Sequence, residues 1–251
     1  MKIFFGLITG IILFILFFTF NSFGVDASTV LVDYREVHNK LSLSDVILLK
    51  DISKPIPNED GTSGKKTYTD GEVNPFIYYS QIGAPWSDDD YSGAKAGTVA
   101  SSGCGPTAFA MCVASLNPEK SVTPRDIALY SVQNGYRTPT SGTSYNLFFK
   151  GLKEYGLQYS SQDIGTTSVV TSLEEGKIIV MNMGPGKSPE DARKVVNTWT
   201  SGGHYIVLRG VTQDGKILVG DPNSDYNTEK SWDFDKSIKP FNGGFCIKVW
   251  K

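Results

Sequence analysis

Ser102-Gly103-Cys104-Gly105-Pro106-Thr107 runs straight into Ala108-Phe109-Ala110-Met111-Cys112-Val113-Ala114-Ser115-Leu116. Pro106 suits a first helical turn, where its missing N–H costs nothing, and Asn117-Pro118 supplies the stop. The stretch therefore predicts an apolar helix that begins at a cysteine set between two glycines. Small neighbours let another backbone approach the sulfur closely. A helix N-terminus adds unpaired N–H groups and partial positive charge, which favour thiolate over thiol. A structural cysteine is ordinarily packed in an apolar face. Cys112, further along the same helix, has that setting; Cys104 does not. Cys104 is the candidate nucleophile, expected to be exposed and thiolate-prone.

Downstream, Thr123-Pro124-Arg125-Asp126 is close to a capping box and opens a second helix that ends at Asn134-Gly135. A third is expected from about Ser144 through Leu147, Phe148, Leu152 and Tyr155 to Gly156. The pattern then changes to strands. Lys177-Ile178-Ile179-Val180-Met181 is a short apolar run. His204 to Val211 and Lys216 to Gly220 flank Asp214-Gly215, a strong hairpin signal. Gly244 to Trp250 reads as a last strand. Helices first and an antiparallel sheet afterwards make an α+β domain.

A nucleophilic thiol needs a base, and the chain has only two histidines, His38 and His204. His204 follows Ser201-Gly202-Gly203 and opens a strand, a position that projects into a cleft. His38 sits among Glu36, Val37, Asn39 and Lys40, a solvated setting. His204 is the candidate base. Asp221 closes the partner strand of the hairpin in Gly220-Asp221-Pro222-Asn223, and antiparallel pairing carries it towards His204. It would fix the imidazole tautomer and stabilise the imidazolium. Asn223 is the alternative third member, and Asp221 is preferred. Gln81 ends the aromatic run Tyr78-Tyr79-Ser80-Gln81, and its amide beside the Cys104 N–H would form an oxyanion hole. Trp86 and Tyr91 are candidates to line a substrate groove or to pack in the core.

The 251 residues are 40% hydrophobic and carry a formal charge of −2, with no basic cluster denser than Lys65-Lys66. Nucleic-acid binding needs a concentrated positive face, so it is excluded as a reading. Three cysteines are too few and too odd in number for a disulfide scaffold, and no Cys-x-x-Cys or His-x-x-x-His pair provides a zinc template. Cys112 and Cys246 read as two buried thiols rather than as a pair. Lys2 followed by the apolar run Ile3 to Phe20 has the form of a signal peptide cleaved after Val25-Asp26-Ala27, or of an uncleaved signal-anchor. Residues 1–27 are so assigned, and either form sends the rest outside the cytoplasm. Residues 28–71, polar from 51 and punctuated by Pro55, Pro57, Gly61, Gly64 and Gly71, read as a linker or pro-segment. The catalytic domain is expected over 72–251.

Taken in chain order, Tyr79-x-Gln81, Pro85-Trp86, Ser102 to Thr107, Val122-Thr123-Pro124, Gly142-Thr143-Ser144, Gly203 to Leu208 and Gly220-Asp221-Pro222 resemble the bacteriocin-processing-like cysteine peptidases. The similarity spans about residues 75–225 and is to the exported, stand-alone branch of that papain-like superfamily. It implies a papain-like fold with Cys104 as nucleophile, His204 as base, Asp221 as orienter and Gln81 in the oxyanion hole. Transporter-linked relatives act on cytosolic double-glycine leaders, whereas this chain reads as exported. The segment Gly184 to Thr200 is longer than the family pattern leads one to expect.

The expected chemistry is hydrolysis of a peptide or amide bond through an acyl-enzyme, with no metal or organic cofactor. The substrate would be a peptide or protein, and membrane contact would come only through the N-terminal segment. Two rival readings are a peptidoglycan-cleaving amidase or endopeptidase and a silent binding module of the same fold. Export predicts either a mature chain in the medium beginning near Ser28 or an anchored form degraded when protease is added to intact cells. A full-length protein confined to the cytosol would contradict it.

Overall fold

The computed structural model describes residues 56–57, 64–69, 75–93, 96–120, 122–139, 142–185 and 198–251. The described residues all lie in one compact unit, Ser53–Lys251. The N-terminal segment 1–27, His38 and most of the stretch Gly184 to Thr200 fall outside them. Among the described residues no helix is long and apolar enough to cross a membrane.

Three short strands come first: β1 (Ile56–Pro57), β2 (Lys65–Tyr68) and β3 (Phe76–Tyr79), joined antiparallel in that order. Lys65 faces Tyr79 and Tyr68 faces Phe76. Residues 65–68, within the stretch 28–71 read as a linker or pro-segment, form strand β2 paired with β3. A strand of four residues offers too little alternation to stand out from Pro- and Gly-rich surroundings. It is held by its partner strand and by Tyr68, which packs edge-on to Tyr78 at 6.2 Å.

Helix α1 (Val99–Ser102) is fixed by a reciprocal cap between Thr98 and Ser101 and leads through Gly103 into α2 (Cys104–Leu116). Every residue of α2 is buried, as suits a helix that is apolar on all sides. It packs against β3, against α3 (Pro124–Gln133) and against the large sheet. The Thr123–Asp126 capping box opens α3 as expected. The third helical stretch is a π-helical turn, Leu147–Gly151, continuing as α4 (Leu152–Glu154). A helical first half and a sheet in the second half match the expected α+β arrangement. Strand β3 falls on the aromatic run that Gln81 ends, whereas β1, β2 and the second-half helix α5 (Thr166–Glu174) were not visible in the sequence pattern.

The large sheet has the order β4-β9-β5-β6-β7-β8, antiparallel throughout. Its strands are β4 (Gln158–Ser161), β5 (Ile178–Met183), β6 (His204–Val211), β7 (Ile217–Gly220), β8 (Ser231–Trp232) and β9 (Asn242–Trp250). Alternate residues feed two cores. Val180, Val207 and Ile247 join α2, α3 and the first sheet, while Ile179, Met181, Ile206 and Val219 join α5, Trp199 and Phe234. Burial on both faces is why β5 and β6 read as continuous apolar runs. The edge strand β4, Gln-Tyr-Ser-Ser, has no such run and escaped detection.

Pairing of β6 with β7 places Val207 opposite Gly220, so the start of β6 and the end of β7 share one end of the sheet. Gly220 is needed there. A Cβ would lie 2.8 Å from the Phe76 ring and 3.1 Å from Met111 Sδ. Gly220→Ala should destabilise the domain by about 1–3 kcal/mol through this overpacking. Equilibrium denaturation checks it, and an unchanged midpoint would contradict the packing described.

Candidate active site

The sulfur of Cys104 sits at the first residue of a thirteen-residue helix, and both flanking glycines are demanded by space. A Cβ on Gly103 would lie 2.5 Å from the Val99 carbonyl oxygen, and one on Gly105 would lie 2.5 Å from Thr143 Oγ1. Thr143 is held in turn by Tyr91, whose hydroxyl bonds Thr143 Oγ1 at 2.8 Å and Ser131 Oγ at 2.9 Å. The Tyr205 hydroxyl donates to the Thr143 carbonyl at 3.0 Å. Tyr91 is thus core, as is Trp86, whose indole N–H donates to the Ser80 carbonyl at 2.7 Å. Neither lines a groove.

His204 opens β6 and is buried, with Nε2 2.7 Å from Asp221 Oδ1. Cys104 is the second group whose charge and hydrogen bonding act on His204. With Nε2 committed to Asp221, Nδ1 is the nitrogen left for sulfur. Burial alone would push the Cys104 thiol up. The hydrogen bond and positive charge of His204 outweigh it, helped by backbone N–H groups of Tyr205 and Gly105, and the thiol is held below its ordinary value. Burial likewise pulls His204 down, and the charge and hydrogen bond of Asp221, followed by those of Cys104, raise it well above the ordinary imidazole range. Both shifts favour the thiolate–imidazolium pair.

Cys104 is only 8% exposed, and Cys246 is more exposed than it is. The expectation that Cys104 alone is exposed is therefore wrong. Protonation separates the thiols instead: burial pushes Cys246 up to about 12 and Cys112 higher still. All three cysteines are free.

Asp221 is 1% exposed and has a donor on every side. Oδ1 also accepts from the Asn223 N–H at 2.9 Å, and Oδ2 accepts from Asn227 Nδ2 at 2.8 Å. Its own N–H donates to Thr228 Oγ1 at 3.0 Å, and its carbonyl accepts the Tyr78 hydroxyl at 2.9 Å. Asp221, rather than Asn223, meets the imidazole; Asn223 supplies only its backbone N–H. Asn227 and Tyr78 were not singled out from sequence, since nothing in Asp225-Tyr226-Asn227-Thr228 marks an amide aimed at a carboxylate.

Gln81 is buried and pinned at both ends. Its N–H donates to the Pro222 carbonyl at 2.8 Å, and its Nε2 donates to the Ala100 carbonyl at 2.7 Å. It thus ties the Asp221 loop to the helix that precedes Cys104. The amide cannot flip, because Oε1 would then confront the Ala100 carbonyl. Oε1 is buried and accepts no hydrogen bond among the described residues. A cleft of about 310 Å³ is lined by residues that include Ser80, Ile82, Asn223 and Asp225, and none of Cys104, His204, Asp221 and Gln81 lines it. Ile82 is half exposed at this cleft. Among the described residues no group of three or more His, Cys, Asp or Glu side chains converges to hold a metal.

The sequence matches the Peptidase_C39 like family over residues 73–245. The chain belongs to that family. It therefore carries a cysteine-peptidase-type domain, and Cys104, His204, Asp221 and Gln81 all fall inside the matched span. The solved structures include a C39-like peptidase from Bacillus anthracis, 16% identical, with a TM-score of 0.43, covering 59% of this chain and 88% of that one. No curated protein matches the sequence.

The pH dependence of iodoacetamide labelling tests the ion pair. Wild-type Cys104 should react below the ordinary thiol range, ahead of Cys112 and Cys246. In His204→Ala the thiol loses its counter-charge while staying buried, so its titration moves up. Labelling at neutral pH should then fall roughly tenfold for each unit of that shift. Equal rates for the two proteins would rule the pair out.

Proposed function

We propose that this C39-like domain is an active cysteine peptidase that hydrolyses a peptide or amide bond through an acyl-enzyme on Cys104. The observation that carries the reading is the buried 2.7 Å hydrogen bond between His204 and Asp221, and it is supported by Cys104 at its helix start and by shifts of thiol and imidazole directed towards thiolate and imidazolium. The thiolate attacks the carbonyl carbon, and the oxyanion is held by the Cys104 N–H and the second N–H of Gln81 Nε2. His204 gives its proton to the departing amine as the C–N bond breaks. The neutral imidazole then takes a proton from water, whose oxygen attacks the thioester, and the acid leaves as the C–S bond breaks. Oxyanion donors fixed before the reaction need no reorganisation during it, and Gln81 is suited to that by its two-ended attachment.

The family implies a peptide substrate. We further propose that the enzyme works outside the cytoplasm, a reading supported by the apolar run Ile3 to Phe20.

A peptide library and purified peptidoglycan, each followed by mass spectrometry, test turnover. Cys104→Ala and His204→Ala should each abolish hydrolysis in a folded protein, and the double variant should be scarcely worse than either. Gln81→Ala should raise the acylation barrier by about 3 kcal/mol. Asp221→Asn should leave measurable residual activity, since an amide still orients the ring without matching its charge. Cleavage of wall fragments alone would identify the domain as a peptidoglycan hydrolase. No turnover on either substrate, with full biological effect retained by Cys104→Ala, would identify a binding module instead.

A further inference from the structure

Asn227 is 4% exposed and uses both hydrogens of its side-chain amide. One goes to Asp221 Oδ2 at 2.8 Å and the other to the Thr198 carbonyl at 2.6 Å. Its backbone is equally committed. The N–H donates to Ser224 Oγ at 3.1 Å, and the carbonyl accepts the Trp232 indole N–H at 3.0 Å. Trp232 packs on Trp199 with ring centres 4.8 Å apart, and the Trp199 indole donates to the Ser237 carbonyl at 2.9 Å. The peptide that leads into His204 and the loop that carries Asp221 therefore meet at one amide. Neither the helix of Cys104 nor any strand pairing makes that connection. β6 pairs with β5 as far as His204 opposite Met183, but its ladder with β7 begins only at Val207 opposite Gly220, so no β6–β7 pairing reaches His204 or Asp221.

We propose that Asn227 is a positioning residue for the peptidase reaction, a clamp that sets the His204–Asp221 geometry by holding Asp221 Oδ2 and Thr198 together. This rests on the reading of Cys104, His204 and Asp221 as the working triad. A carboxylate is free to rotate about its Cβ–Cγ bond. With Oδ2 fastened to Asn227 and Oδ1 shared between the Asn223 N–H and His204, only one orientation satisfies all three donors. A neutral amide meets the carboxylate without adding a competing charge, so the full negative charge still faces the imidazole. The charged or titratable groups facing His204 are Asp221 and Cys104. Behind Asp221 stand Tyr78 and, bonded to the Tyr78 hydroxyl at 2.8 Å, Asp225, itself paired with Lys66.

The sign follows from this geometry. Loss of Asn227 frees the carboxylate to turn, the imidazolium loses part of its support, and the thiolate loses part of its counter-charge. The labelling titration of Cys104 in Asn227→Ala should therefore move up by about one pH unit. The same variant should lose about tenfold in kcat/KM, carried by kcat because Asn227 has no place to touch substrate. A folded Asn227→Ala with a lower melting temperature but an unmoved Cys104 titration would overturn the clamp and leave the triad standing. A wild-type Cys104 that titrates like an ordinary thiol would overturn the triad reading itself, and the clamp with it. Should Asn227→Ala fail to fold, Trp232→Phe decides. It keeps the ring against Trp199 but removes the donor on the Asn227 carbonyl, and it should move the titration less but in the same direction. A folded Trp232→Phe with the wild-type titration would then overturn the proposal.

Discussion

The hydrogen bond between His204 Nε2 and Asp221 Oδ1, 2.7 Å long and almost wholly out of water, is the constraint on which the rest of the site depends. Burial opposes every charged form here, pushing the thiol up and the imidazole down. A buried thiolate–imidazolium pair exists only if something outweighs that opposition. His204 does so for Cys104, and Asp221 does so for His204. Asp221 in turn is met by neutral donors, the Asn223 N–H and the Asn227 amide. The series of compensations ends in uncharged groups, so no ion is left unmatched at its far end.

That series dictates much of the architecture. The helix must deliver Cys104 with its N-terminus at the sheet's open end, which requires close packing at Gly103 and Gly105 and a fixed Thr143. The hairpin must bring the start of β6 and the end of β7 together, which its antiparallel register does. The small β1–β3 sheet holds Gln81 through the end of β3, and Ser80 N–H donates to the Gly64 carbonyl at 2.7 Å. Residues 64–68 therefore support the proposed oxyanion donor from behind. Arg209 adds to that wall by covering the Tyr68 ring at 4.2 Å and donating to the Thr228 carbonyl at 3.2 Å.

How much of this was legible in the sequence follows from where each signal is stored. The Cys104 helix announced itself by composition, because a buried helix is apolar all round and its glycines and proline mark its start. β5, β6 and β7 were legible because burial on both faces makes continuous apolar runs, and Asp214-Gly215 marks the hairpin between the last two. Hairpin geometry carried Asp221 towards His204, and the family resemblance implied its role as orienter. β2, β4 and α5 were not legible: the two strands are four residues long and the helix is rich in Thr and Ser, so their stability comes from what they pack against. Exposure was misjudged for the same reason. A cysteine between glycines is open to approach by its own chain, yet Cys104 is buried, and His204 and the Tyr205 backbone act on it from a segment distant in sequence.

Asn227 marks the far end of that limit. Its type, its neighbours and its spacing from Asp221 carry no local signal, since any polar side chain would suit an exposed turn. Its importance comes from where the chain closes back on Asp221, six positions earlier. Ser224 caps the short helix 225–228, whose first turn points the Asn227 amide back at Asp221, while Trp232 holds its carbonyl from the opposite side. A position whose value depends on three segments converging can be read only from the folded chain. The proposed nucleophile and base must be particular residue types, and so are visible as letters. The groups that aim them need only a donor in the right place, and that place exists once the sheet, the loop and the Thr198–Trp199 peptide have met.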